Sequence, residues 1–226
     1  MATDTSFGKV RSFDDFNRKA IDTTNLYTSN TDGGGTAFAI QTLANGVVRG
    51  TVDTDDNDIT NLFGVVIYRP SAGGPLIFES RVKAVTSVAD GETYIGLTDE
   101  VTDENPITLS TADVQTSGAT NAAGFAYTGA GTANWKAVAV KGDADATPVA
   151  CSKGGATTPV VGTYQTLRAV LNEDGDADYY INGIWQARID NAVTAATLLC
   201  DAWAVQSGGT ARSLDVDYKL VECGRV

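Results

Sequence analysis

The 226-residue chain has no histidine, only three cysteines and a single methionine, Met1. Without an imidazole there is no Ser-His-Asp or Cys-His arrangement, no histidine general base and no Cys/His zinc site. Basic residues are scarce as well. Sixteen Lys and Arg stand against 28 Asp and Glu, a formal net charge of -12, whereas a phosphate-backbone binder needs clustered positive charge. Long hydrophobic runs are missing: no stretch reaches the ~18 apolar residues of a membrane span, and Met1 to Val10 carries no apolar signal-peptide core. The expectation is a chain made in the cytoplasm, with neither nucleic acid nor membrane as partner. Cys151, Cys200 and Cys223 form no C-x-x-C pair and are odd in number, so they read as free thiols buried in strands.

What is abundant points to β structure. Charged residues make up 19% and hydrophobic residues 42%, with 24 glycines; this is too apolar for disorder and rich in turn formers. A single domain of this length buries roughly 70–75% of its unfolded surface, so neither metal nor disulfide is required. Residues 1–12 are polar, with Phe7 and Val10 isolated among them, and read as an extended N-terminal arm. Ser12-Phe-Asp-Asp15 then offers two readings: a capped helical turn presenting Phe13, Phe16 and Ala20, or an ordinary first strand.

From Thr36 onward the hydrophobic period becomes two. In Leu76 to Ala84 the alternation puts Phe78, Ser80, Val82 and Ala84 on one face and Glu79, Arg81 and Lys83 on the other, a strand with one wet side. About a dozen such runs, with no strong helix between them, predict a two-sheet antiparallel β-sandwich over residues 13–226 as one domain. Residues 101–121 lack periodicity and read as a long surface excursion. Asp174-Gly175 and Asn182-Gly183, each between alternating runs, read as type I′ hairpin turns joining a three-stranded meander.

The succession Leu76-Ile-Phe-Glu-Ser-Arg-Val-Lys, Tyr94-Ile-Gly-Leu-Thr-Asp, Gly124-Phe-Ala-Tyr, Trp135-Lys-Ala-Val-Ala-Val, Tyr164-Gln-Thr-Leu-Arg-Ala-Val, Asp178-Tyr-Tyr-Ile-Asn-Gly and Leu214-Asp-Val-Asp-Tyr resembles the concanavalin-like, or laminin-G-like, jelly roll. More narrowly, the chain is similar to tailed-phage virion proteins that use this domain as capsid decoration, or cement. The resemblance covers most of residues 36–221. It implies a virion structural protein on the capsid surface, with the major capsid protein as partner and self-association as a dimer or trimer.

Chemistry-bearing motifs are few. Retaining glucanases of this fold carry a Glu-x-Asp-x-Glu strand that sets two carboxylates about 5–5.5 Å apart. Leu214-Asp-Val-Asp-Tyr-Lys comes nearest, but after Asp215 and Asp217 the next position on the same face is Lys219. Asp53-x-Asp55-x-Asn57 begins like a calcium loop, yet Asp58 stands where Gly belongs and Gly64 where Glu belongs. It reads as a solvated turn, as does the alternating polar set Asn172, Asp174, Asp176 and Asp178. Gly33-Gly-Gly35 and Gly154-Gly155 lack a phosphate loop's Lys-Ser/Thr.

Trp135, Trp185, Trp203, Tyr179 and Tyr180 could stack on sugars, or serve as core and cross-strand partners. The expectation is therefore no enzyme, no catalytic residue, no metal and no cofactor, with Phe7, Val10, Arg11 and Phe13 as partner contacts. The alternative is a glycan-binding module of a tail or head fibre, using exposed tryptophans and the 101–121 loop. On the arm reading, deleting residues 1–12 abolishes capsid binding and leaves the sandwich folded.

Overall fold

The computed structural model describes residues 9–43 and 46–225. Its strands are β1 (Lys9–Asp14), β2 (Thr28–Asp32), β3 (Thr36–Ile40), β4 (Val48–Val52), β5 (Ile59–Phe63), β6 (Leu76–Ala84), β7 (Gly91–Thr98), β8 (Ile107–Leu109) and β9 (Gln115–Ser117). There follow β10 (Asn121–Thr128), β11 (Lys136–Lys141), β12 (Ala144–Asp145), β13 (Val149–Ala150), β14 (Gln165–Leu171), β15 (Ala177–Ile181), β16 (Ile184–Ile189), β17 (Cys200–Ser207) and β18 (Arg212–Gly224). They form two stacked antiparallel sheets. The first runs β16-β15-β14-β6-β18-β4-β3, with β1 also on β18; the second runs β12-β11-β10-β7-β17-β5-β2, with β13 on β11. Among the described residues there is no helix.

Alternation in each strand sends one face into the gap between the sheets. Phe78, Val82, Leu167, Tyr179 and Val216 from the first sheet meet Leu62, Ile95, Leu97, Phe125 and Trp203 from the second. Each such side chain contributes about 1.5–3 kcal/mol when fully buried. Their polar atoms are paired across the gap: Trp203 Nε1 donates to Ser80 Oγ at 3.1 Å, Trp135 Nε1 to Gln165 Oε1 at 2.9 Å, and the Tyr179 hydroxyl to the Val138 carbonyl at 2.9 Å. All three cysteines are free and buried.

The outer face of the second sheet is also buried. Residues 101–121, read as a surface excursion, fold back over it as the β8–β9 hairpin, placing Ile107, Leu109 and Ala119 on Phe63, Tyr94, Ala122, Val138 and Ala202. Close approach there needs small residues. A Cβ on Gly96 would lie 2.5 Å from the Gly124 Cα and 2.9 Å from the Tyr94 hydroxyl. Glu92 Oε2 accepts from Leu109 N at 3.3 Å, and burial pushes its carboxyl up to about 7.

The structure decides between the two readings of Ser12 to Asp15 and corrects three further expectations. Phe16 sits at φ 51° and is fully buried, with its N–H donating to Asp14 Oδ1 at 2.8 Å. That backbone ends β1 in a tight turn and excludes the helical reading. Residues 9–12, assigned to the arm, instead lie in β1, paired in register from Lys9↔Gly224 to Asp14↔Lys219. At the meander, Asn182 and Gly183 both have positive φ, as type I′ requires, but of Asp174-Gly175 only Gly175 does. The latter hairpin closes through Asn172 N to Asp176 O at 2.9 Å, a longer loop.

The third correction concerns β18. Its register on β6 shifts between Val216 and Tyr218, so Asp217 is an inserted residue and the faces exchange. Leu214 and Val216 point into the core before the bulge; Val221 and Cys223 do so after it. Lys219 is thereby turned inward, away from the face of Asp215, and its Nζ meets Asp201 Oδ2 of the opposite sheet at 2.7 Å, both residues buried.

Two outcomes follow. Lys219→Met strands the Asp201 carboxylate and is expected to cost about 3–5 kcal/mol in denaturant unfolding, whereas Lys219→Met with Asp201→Leu stays close to the wild type. The Glu92 carboxyl protonates more readily folded than unfolded, so its contribution to stability is complete below its ordinary value of 4.5 and is lost as pH rises through about 7. Glu92→Gln is expected to match the wild type near the low end of that window and to exceed its melting temperature above pH 8.

Candidate functional site

Strands β2, β5 and β17 lie side by side, and their two ends carry different chemistry. At one end β1, the turn after it and the segment beyond β5 enclose a groove of about 410 Å³. Phe13 is 58% exposed on its rim, with Leu26, Val65 and Ile67 also exposed. Phe13 stands 6.0 Å from the Tyr218 ring, and Arg11 beside it is exposed. β1 pairs only with β18 among the described strands, so its other edge has no strand partner.

The groove floor is ionic. Tyr27 donates to Asp14 Oδ2 at 2.7 Å, Arg18 pairs with the same carboxylate, and the Lys219 ammonium stands 4.6 Å from the Tyr27 ring. Burial, then the Asp201 and Asp14 charges, holds the Tyr27 phenol well above its ordinary range. Burial likewise pushes Tyr68, also in the groove, up to about 12. Of the four partner-contact residues, Val10, Arg11 and Phe13 line this groove; Val10 also packs on the core. Phe7 lies outside the described residues.

At the other end a polar cavity of about 360 Å³ is lined by Asp32, Asn57, Asp103, Glu104, Asn105, Thr108 and Gln206, among others. Its wall is pinned from below. Asn30 and Asn61, a cross-strand pair, donate to the carbonyls of Val101, Thr102 and Glu104. Beside it Asp53, Asp55 and Asp58 place carboxylate oxygens within 4.8 Å of one another, an oxygen set of the kind hard cations take.

Gly33 and Gly34 wrap this turn so closely that a Cβ on Gly34 would sit 2.6 Å from Asp58 Oδ2, the atom that accepts the Gly34 N–H at 2.6 Å. The glycines therefore serve backbone approach to an acidic turn. The neighbouring Asp53 carboxyl raises the Asp58 carboxyl above its ordinary value, while the Asp55 N–H lowers that of Asp53. A proton shared between the two carboxyls would relieve their repulsion.

The remaining candidates are occupied structurally. Asp215 is fully buried between Arg49 and Lys83, and Asp217 pairs with Arg81. Asp176 and Asp178 hold Arg188. Trp135, Trp203 and Tyr179 belong to the core. Trp185 is 41% exposed, but the Lys153 ammonium lies 3.4 Å from its ring centroid. The acid–amide cavity escaped sequence reasoning because its residues come from four separated segments; the one local cue was the acidic run from Asp99 to Asn105.

No protein-family profile matches the chain, and no curated protein does. Solved structures do. Protein SO2946 from Shewanella oneidensis MR-1, of unknown function, superposes with a TM-score of 0.63 at 12% identity, over 96% of this chain and 87% of that one. The carbohydrate recognition domain of Emp47p gives 0.60 at 12%, over 94% of each chain. Bacillus licheniformis β-glucanase gives 0.63 at 10%, over 93% and 97%. The fold is accordingly the concanavalin-like jelly roll, as the resemblance implied, a scaffold that hosts unrelated activities.

Asp53→Asn is expected to return the Asp58 carboxyl towards the usual carboxylate range in a carboxyl-carbon NMR pH titration. An unchanged Asp58 midpoint would mean that the two groups do not share a proton.

Proposed function

We propose that the chain is a non-enzymatic structural protein of a tailed-phage virion, a decoration or cement protein that seats on the outer surface of the major capsid protein. The observation that carries this reading is the groove at the β1 end. An exposed aromatic, three exposed aliphatics and an arginine surround a strand edge open to another chain. Aromatic and Arg anchors beside apolar surface are what protein interfaces concentrate, and a free strand edge accepts an added strand. The groove's occupant on this reading is an extended apolar segment of the capsid protein carrying an acidic residue opposite Arg11.

The partner and the capsid-surface location come from the sequence resemblance; of the fold neighbours, those named for a function are a carbohydrate recognition domain and a β-glucanase. The non-enzymatic reading is supported by Asp215 and Asp217, the nearest sequence match to a Glu-x-Asp-x-Glu strand, both being held in ion pairs. Self-association as a dimer or trimer follows from the symmetric positions a lattice offers. Removing residues 1–12 would strip most of β1 from β18, so point substitutions are the sharper test.

A second reading, a glycan-binding module, is favoured by the acid–amide cavity and by the carbohydrate recognition domain among the neighbours. The tryptophans do not support it, since two are buried and the third is capped.

Capsids lacking the protein, sedimented with the purified chain, are expected to bind it saturably at many copies per head. Phe13→Asp with Arg11→Glu, both at exposed positions, is expected to weaken binding by about 30-fold or more at unchanged melting temperature, the size of a hot-spot loss of about 2 kcal/mol. Absence of binding by the wild type would remove the capsid reading, and undiminished binding by the double variant would remove the groove.

A further inference from the structure

We infer that the outer face of the first sheet is a self-association surface, on which a second copy of this chain packs about a two-fold axis running along the strands between β14 and β6. The inference gives a surface to the self-association proposed above and rests on that part of the reading alone. It needs no capsid.

The outer faces of the two sheets differ. On the second sheet β10 is buried at every position and β11 at all but its last, because the β8–β9 hairpin covers them. On the first sheet β6, β14 and β15 alternate between buried and half-buried positions, and among the described residues no strand packs over the half-buried set. Ile77, Val170 and Tyr180 there line an open recess of about 390 Å³.

The register of β14 on β6 makes this face complementary to itself. Thr166 lies beside Arg81, Arg168 beside Glu79 and Val170 beside Ile77. A two-fold axis between the strands sets each of these residues opposite its neighbour from the second copy: Arg168 opposite Glu79, Val170 opposite Ile77 and Thr166 opposite Arg81. No like charges meet along that seam. Tyr180 and Leu220, the next residues outward in the Arg168–Glu79 row, face each other in the same way. Positions close to such an axis keep these neighbours when two sheets cross at about 30°. Within one chain Arg168 reaches Glu79 only at 3.9 Å, longer than a hydrogen bond, so its guanidinium keeps donors for a second carboxylate. An isologous contact requires this kind of self-complementarity.

Charge selects a second copy as the occupant. The outward positions of the first sheet's strands hold seven of the 16 Lys and Arg but only five of the 28 Asp and Glu, which leaves nine bases and 23 acids for the rest of the chain. Two copies therefore repel over the remainder of their surfaces and meet here at least cost. All five acids of the face are already in ion pairs: Glu222 with Lys9, Asp215 with Arg49 and Lys83, Asp217 with Arg81, Glu79 with Arg168 and Asp178 with Arg188. Covering the face strands no carboxylate, which is the condition for burying charge.

The size is sufficient. Six strands about 4.8 Å apart, over about seven residues of about 3.3 Å, span roughly 660 Å² on each copy. The pair then buries about 1,300 Å², within the range of specific interfaces.

Sedimentation velocity on the full chain, from about 1 μM to about 200 μM, is expected to show a monomer–dimer equilibrium. Arg168→Glu alone and Glu79→Arg alone each set like charges opposite one another, and each is expected to weaken dimerisation about tenfold or more at unchanged melting temperature. Mixed in equal amounts, the two variants restore opposite charges at both halves of the axis and are expected to form a heterodimer about as tight as the wild-type dimer. A role for the pair within one chain cannot produce that rescue.

A wild type that stays monomeric throughout would overturn the inference and leave the face to a different ligand. Dimerisation undiminished in both variants would overturn it by placing the contact elsewhere, and so would a mixture that fails to associate. Neither Arg168 nor Glu79 lines the groove at β1, so both variants are expected to sediment with capsids. The two proposals therefore fail separately.

Discussion

A buried ammonium and a buried carboxylate, 2.7 Å apart, join the two sheets between Lys219 and Asp201, and the placement of much else depends on how Lys219 comes to point inward. The cause is one inserted residue. The bulge at Asp217 exchanges the faces of β18 halfway along its 13 residues. Before it, the inward positions are apolar and Asp215 faces outward to Arg49 and Lys83. After it, β1 takes over from β4 as the neighbour on that edge. The ion pair is therefore less a source of net stability than a marker of register, because desolvating two charges offsets most of their attraction. A strand slipped by one residue would bury Leu220 and Glu222 in place of Lys219 and Val221, leaving Asp201 unpaired.

The same arrangement shapes the groove. Lys219 lies beneath Tyr27, which bonds Asp14, which closes the turn after β1 through Phe16 and Arg18. That turn, at a φ open to few side chains, carries the buried Phe16 against Trp203 and leaves Phe13 on the rim. An ionic floor beneath an apolar rim results, at the end of the sandwich where β1 offers an open edge.

Closure of the outer face of the second sheet divides the molecule's surface. The β8–β9 hairpin covers that face with Ile107 and Leu109, and its flanking residues, pinned by Asn30 and Asn61, wall the cavity at the far end. One insertion thus removes a flat sheet face from solvent and creates a polar recess beside it. Two recesses of this scaffold lie at the ends of the strands, with an apolar edge at one and an acid–amide lining at the other.

Much of the architecture could be read from the residue pattern, because strand alternation is local. The alternation in Leu76 to Ala84, the Asn182-Gly183 turn and the buried free cysteines were legible in this way. Phe7, Val10, Arg11 and Phe13 stood out as partner candidates because they lie in a polar segment with isolated apolar residues, and the structure lines one groove with Val10, Arg11 and Phe13. Three things were not legible: the face of Lys219, the cover formed by residues 101–121 and the cavity around Asn105. A bulge depends on the partner strand's register. A hairpin of three-residue strands has too few positions to display a period. A recess assembled from residues 32, 57, 103–108 and 206 has no spacing to detect. The sequence by itself determined a two-faced β chain without histidine chemistry, since periodicity and composition are properties of neighbours along the chain. Only the tertiary structure decided which faces are covered and where polar atoms converge, because those depend on strand pairings more than a hundred residues apart.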